Sequence, residues 1–278
     1  MSKKIIALDA GHGMHTAGKR CLKSIDPNET REWWLNDRIA DRVQEMLAAY
    51  DCTVLRVDDT TGAKDISLSA RVKAANAAKA DIYISVHHNA GINGGSGGGT
   101  VVFYYAGAAR QMQAYKLYNA VISRTGLVGN RSSKVAGNDQ KSLYVIRNTN
   151  MPAFLIENGF MDSRADTPII LTQEHAEKTA QGIVDFLAVE LRLQKNNVDQ
   201  AGTDDAAVSS SQANAAYYPA YTGPKTTLYN AMTALGLDGS YAHRKLIAKA
   251  NNITGYVGTA AQNTQMYNLL AAGLLTKE

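Results

Sequence analysis

Residues 85–89 read Ser-Val-His-His-Asn and close a run of apolar and β-branched residues over 81–86. Two imidazoles and an amide at the tip of a strand are groups that hold metals or move protons. His87 and His88 cannot both face one site, because neighbours on a strand point to opposite faces. Two other stretches offer related chemistry. His12 lies in Asp9-Ala10-Gly11-His12-Gly13, a glycine-flanked turn after a short apolar run, where the backbone bends sharply. Glu157 follows the apolar run 153–156 and precedes Asn158-Gly159-Phe160. In open α/β sheets ligands bind beyond the carboxyl ends of the strands, so His12, His87 and Glu157 are expected at one edge. Two imidazoles and a carboxylate suit zinc. Each residue also has a plainer reading, a hydrogen-bonded loop histidine or a carboxylate capping a helix. His12 and His15 form an H-x-x-H, but the helical H-E-x-x-H of zinc proteases is absent from the sequence. His15, His175 and His243 read as surface or structural residues.

A sheet must position these groups. Strand candidates rich in Ile, Val, Tyr and Phe cover 4–8, 52–57, 81–87, 100–105, 142–146 and 153–156. Helical stripes lie between and after them: Leu35, Ile39, Val43, Met46 and Leu47; then Met112, Tyr115, Val121 and Ile122; then Ala176, Ala180, Ile183, Val184, Leu187 and Leu191. This alternation predicts an α/β fold, a mostly parallel twisted sheet of about six strands with helices on both faces. The stretch 91–99 carries six glycines and must be mobile or closely approached. The polar stretch 125–141 reads as a rim loop.

Composition separates the rest of the chain. Residues 1–192 read as one α/β domain and 193–222, dominated by Asn, Asp, Ser, Gln and Ala, as a flexible linker. Residues 223–278 carry three helical stripes and read as a small, mainly helical second domain. Tyr217, Tyr218 and Tyr221 are expected to pack the linker onto a domain rather than stack on sugars. The formal charge of +4 comes without a dense Lys/Arg patch, which argues against nucleic acid as a partner. Two cysteines make no disulfide framework. The apolar run 5–8 is too short for a signal-peptide core, and no stretch reaches the length of a membrane anchor.

The motifs taken together resemble a known family. Asp9-Ala10-Gly11-His12-Gly13, Glu32 with Asn36 four residues on, Ser85-x-His87-x-Asn89 and Glu157-x-Gly159-Phe160 are similar to the type-3 zinc-dependent N-acetylmuramoyl-L-alanine amidases. Leu68, Arg71, Ala75-Asn76 and Ala80-Asp81 fit the same pattern, as do Leu143-Tyr144-Val145-Ile146-Arg147 and Pro152. The resemblance covers residues 4–190. It implies that His12, Glu32 and His87 hold zinc and that Glu157 is the catalytic carboxylate rather than a ligand. Glu29 stands near enough to Glu32 to substitute for it. Asp9 and Asn89 would orient ligands or order loops, and Asn89, Arg147 and Asn148 are candidate substrate contacts. The tail, through Arg244-Lys245, Ile247-Ala248, Tyr256, Gly258-Thr259-Ala260 and Gln262-Asn263, resembles the wall-binding modules of lysins from Bacillus phages.

The implied reaction is hydrolysis of the amide between N-acetylmuramic acid and the L-alanine of the peptidoglycan stem peptide, by zinc-activated water with Glu157 moving the proton. The implied protein is a phage or prophage endolysin held in the host cytoplasm without a signal peptide and released to act on the wall. Alternatives are a bacterial autolysin of the same chemistry and a zinc peptidase acting on the stem peptide. Residues 223–278 hold five Lys/Arg against two Asp/Glu, a balance that favours an anionic Gram-positive wall polymer as the tail's partner.

Overall fold

Near-continuous burial along the apolar runs, covered on both faces, organises the chain, seen here in a computed structural model. It describes residues 3–129 and 138–196 and, from 217 to 278, all but 224–226, 240, 252, 255, 257 and 259. In chain order the first elements are β1 (Lys4–Ala10), α1 (Glu32–Leu47), β2 (Cys52–Arg56), α2 (Leu68–Ala77), β3 (Ile82–Asn89) and β4 (Thr100–Tyr104). They are followed by α3 (Ala108–Thr125), β5 (Asn138–Gln140), α4 (Tyr144–Arg147), β6 (Ala153–Phe160), α5 (Thr167–Ile170) and α6 (Gln173–Glu190). The strands form one six-stranded sheet in the order β2-β1-β3-β6-β4-β5. Every pairing is parallel except β4 against β6.

The period of two along each strand sorts side chains between the faces. Ile6, Leu8, Ile82, Ile84, Val86, Phe154 and Ile156 pack with Ile39 and Val43 of α1, Leu117 and Val121 of α3, and Ile183 and Leu187 of α6. Ala7, Tyr83 and Leu155 face the other way, against Val72 and Ala75 of α2 and Val145 and Ile146 of α4. His87 and Glu157 share the parity of Tyr83 and Leu155, whereas His88 shares that of Val86. Ser67 caps α2 and Thr172 caps α6, each accepting from a backbone N–H of the first turn.

Two expectations need correction. Residues 142–146 are not a strand: Tyr144–Arg147 form a single helical turn, closed by Arg147 N donating to Leu143 O at 3.0 Å and Asn148 N to Tyr144 O at 3.0 Å. Burial of Val145 and Ile146 against β6 outweighs the β propensity of the run. The sixth strand is instead Asn138–Gln140, an edge strand of polar residues paired, among the described residues, with β4 alone and carrying no apolar alternation to announce it. In α3 the helix is where the stripe put it, but Met112 and Tyr115 are exposed. Its buried face is Ala114, Leu117, Tyr118 and Val121, spaced i, i+3, i+4 and i+7. Part of the rim loop expected over 125–141 lies outside the described residues.

The chain divides into two compact units, Met1–Lys195 and Asn196–Glu278. Within the second, α7 (Leu228–Ala234), α8 (Tyr241–Ala250) and α9 (Ala260–Ala271) enclose Leu228, Met232, Ile247, Met266 and Leu270. Tyr218 is buried in this core, Tyr221 packs on it, and Tyr217 bridges Thr276, so the packing begins before residue 223. The linker expected over 193–222 lies largely outside the described residues.

Candidate active site

Glu32 opens α1, and its backbone N donates to the carbonyl of Lys19 at 3.0 Å. That start aims its carboxylate at two imidazoles. Glu32 Oε1 lies 3.4 Å from His12 Nε2 and 3.0 Å from His87 Nδ1, and it also accepts from His88 N at 3.3 Å. The rings of His12 and His87 meet edge to face with centroids 4.9 Å apart. One ligand atom from each of His12, Glu32 and His87 falls within 4.8 Å of the others. Glu32 Oε2 is buried with no hydrogen-bond partner. Two nitrogen donors, one carboxylate and an orphaned buried oxygen make a set that fits a metal ion. Burial alone would raise the Glu32 carboxyl, but hydrogen bonds from His12 and His87 and their charge overcome it, holding it well below the usual range. Burial likewise lowers the His87 imidazole, and Glu32 reverses that, leaving it raised.

The backbone is built around these rings. His12 sits at φ 67°, a left-handed conformation that a non-glycine residue holds only when its surroundings impose it. Arg71 of α2 imposes it here. Its guanidinium donates to the carbonyls of Ala10 at 2.8 Å and His12 at 3.0 Å, and it pairs with Asp9. The other oxygen of Asp9 accepts from Tyr83 and Ser85 hydroxyls, both at 2.8 Å. Gly11 is required for a different reason: a Cβ there would stand 2.0 Å from the His87 ring. On the opposite face His88 Nδ1 meets Asn36 Oδ1 at 2.8 Å, and Asn36 donates to Gly11 O at 3.1 Å, tying β3, α1 and the end of β1 together. Asp9 was readable as an orienting residue. The part played by Arg71 and Tyr83 was not, since a salt bridge between α2 and β1 has no local signature.

Glu157 lies directly opposite His87 in the β3–β6 register. Beyond this pair the ladder slips, Asn89 facing Phe160, and Gly159 takes φ 109° at the bulge. Glu157 Oε2 is buried without a partner. Burial pushes its carboxyl up to about 7, with His87 opposing, Glu32 reinforcing and Lys19 opposing. Two clefts meet here. One of about 580 Å³ is lined by His12, His87 and Glu157 and by Leu68, Leu143, Tyr144 and Val145. The other, about 320 Å³, is lined by Gly18, Glu32, His87, Asn89, Ala90 and Glu157. Lys19, which sequence reading passed over, lines both.

The model of the N-acetylmuramoyl-L-alanine amidase family matches residues 6–189. The chain belongs to this family. It is 31% identical over 199 residues to an endolysin of Bacillus phage SPP1, an alignment covering 70% of this chain and 68% of that protein. It is also 31% identical over 191 residues to the probable cell wall amidase LytH of Staphylococcus aureus, covering 67% of this chain and 58% of that one. Among solved structures, an N-acetylmuramoyl-L-alanine amidase of Clostridium difficile 630 aligns with TM-score 0.60 and 27% identity, over 69% of this chain and 98% of that one. The catalytic domain of the amidase CwlV from Bacillus (Paenibacillus) polymyxa aligns with TM-score 0.60 and 26% identity, over 69% and 99%.

Within this amidase fold the remaining candidates fall at different distances from the cluster. Glu29 turns away, pairing with Arg20 at 3.0 Å and Lys23 at 3.8 Å. Asn89 lines the smaller cleft, its Oδ1 accepting from Ala90 N at 2.9 Å. Arg147 and Asn148 line neither of these clefts. Arg147 donates to Ser142 Oγ at 3.1 Å, and Asn148 donates from its amide to Tyr144 O at 2.8 Å, closing α4. His15 is exposed, His175 is buried against Asn158 O, and His243 bonds to Glu278 in the small unit.

Proposed function

We propose that the unit Met1–Lys195 hydrolyses the amide joining the lactyl group of N-acetylmuramic acid to the L-alanine of the stem peptide, with His12, Glu32 and His87 as zinc ligands. The observation that carries this reading is the protonatable Glu157 set opposite His87, beside a donor set of two imidazoles and one carboxylate. Borderline-soft nitrogen donors with a single carboxylate favour zinc over magnesium or calcium. When bound, zinc supplies Lewis acidity at the amide carbonyl and makes water a nucleophile at neutral pH. Glu157, set opposite His87, takes the proton of the attacking water and returns it to the departing L-alanine nitrogen, without which an amine leaves poorly. Arg71 keeps His12 in its turn through the hydrogen bond to its carbonyl. The apolar wall of Leu68, Leu143, Tyr144 and Val145 offers the substrate a surface that sheds water.

Likeness to the SPP1 endolysin supports a role in phage or prophage lysis. The equal likeness to staphylococcal LytH favours a cellular wall amidase as the second reading, and a neighbouring holin gene separates the two. The small helical unit is read as a binder of Gram-positive wall polymer that raises the effective concentration of the hydrolase at its substrate. No described helix is long and apolar enough to cross a membrane.

Mass spectrometry of purified wall after digestion tests the reaction. The expected product carries a free L-alanine amino terminus, and Glu157→Gln yields none while retaining its metal. A different new terminus makes the enzyme a peptidase, and normal turnover by Glu157→Gln removes that residue from the chemistry.

A further inference from the structure

The segment 13–31 leaves the end of β1, returns to α1, and brings a cation to the middle of the site. Its backbone is anchored: Lys19 O accepts from Glu32 N at 3.0 Å, Lys19 N donates to Thr16 O at 3.4 Å, and Arg20 bridges Arg31. The side chain is not held in the same way. It is 44% exposed, and its Nζ stands 3.7 Å from Glu32 Oε2, outside hydrogen-bond distance. So open an ion pair adds little to stability. Yet Lys19 lines both clefts, together with His87 and Glu157. The other Lys or Arg among the described residues lining these clefts is Arg71, which is buried and spent on Asp9, Asp65 and the carbonyls of Ile66, Ala10 and His12. Lys19 is therefore the cation that a bound substrate meets.

We propose that Lys19 binds a carboxylate on the stem-peptide residue that follows L-alanine, so that the site selects muropeptides bearing a free carboxylate there over those bearing a carboxamide. This rests on the amidase reading above. An ammonium attracts a carboxylate as a point charge and forms charge-assisted hydrogen bonds with it, whereas a carboxamide offers only neutral ones. The distance is suitable, since one residue of extended chain spans at most ~3.6 Å and Lys19 Nζ stands 3.7 Å from Glu32 Oε2.

Steady-state kinetics of the full chain, loaded with metal, decides the matter. The substrates are two synthetic N-acetylmuramoyl peptides that differ only in carboxylate or carboxamide on the residue after L-alanine. Wild type is expected to prefer the carboxylate by about three- to fivefold in kcat/KM, with the difference residing in KM. Lys19→Met loses that preference, Lys19→Arg retains most of it, and both keep wild-type metal content. Equal losses on the two substrates in Lys19→Met, or no preference in wild type, overturn the proposal and leave the amidase reading standing. Cleavage of neither substrate by metal-loaded wild type overturns both.

Discussion

Glu32 and Glu29 are separated by three positions and by opposite surroundings. Glu32 is buried, with His12 and His87 at its carboxylate, while Glu29 is held among surface cations. Glu32→Ala removes one of three candidate donors. Disturbing a mere outer partner of a ligand costs about 10–100-fold in metal affinity, and loss of a ligand exceeds that. Glu32→Ala is therefore expected to purify without zinc and Glu29→Ala with it; metal analysis of the two proteins with the results reversed reassigns the ligand. The motif points to His12, His87 and Glu157, which lie at or just past the ends of apolar runs. Spacing into the helix through Asn36, Ile39 and Ala40 favours Glu32 but leaves Glu29 open, since it does not say which carboxylate the loop 13–31 turns inward.

At the scale of elements, the six glycines of 91–99 are compatible with either mobility or close approach. Close approach is what the fold uses. Asp162 Oδ2 accepts from the backbone N–H groups of Gly91, Ile92 and Asn93 at 2.7–2.9 Å, and Asp166 Oδ2 from Gly99 at 2.6 Å. A Cβ at Gly98 would stand 2.3 Å from Asp166 Oδ2. The loop is thus cinched to the segment just after β6, next to the bulge that follows Glu157. Asp162→Ala leaves three backbone donors without their acceptor and is expected to cost about 2–4 kcal/mol of stability. Chemical denaturation measures that loss, and a change within error shows that the loop holds itself. The same scale explains the misread run 142–146. Its residues are strand formers, and only their burial on the outer face of β6 makes them a helical turn.

For the whole molecule, two histidines the chemistry does not use set an acid limit. Burial lowers the His175 imidazole to about 4 and holds His88 well below its ordinary value. Both are neutral in the fold, and both take up a proton near pH 6.5 once unfolded. Above that pH they are neutral in both states and have no effect. As pH falls below 6.5 the unfolded chain binds protons that the fold refuses, so stability drops until about pH 4, where His175 protonates in the fold as well. A single imidazole displaced this far removes about 3 kcal/mol over the window. Melting temperatures between pH 7 and pH 4 should fall accordingly, and His175→Gln, whose amide can still donate to Asn158 O, should flatten the curve. An unchanged slope in that variant assigns the acid limit elsewhere.

By itself the sequence determined the α/β class and pointed to a second unit and to His12, His87 and Glu157, because hydrophobic period, composition and motif are properties of local order along the chain. The tertiary structure alone decided which glutamate faces the imidazoles, that Arg71 and Asp9 hold the His12 turn, that Asn138–Gln140 is the sixth strand, and that Lys19 overlooks both clefts. Those outcomes depend on burial and on partners far apart in the chain, energies that exist only once the sheet has brought its strand ends together.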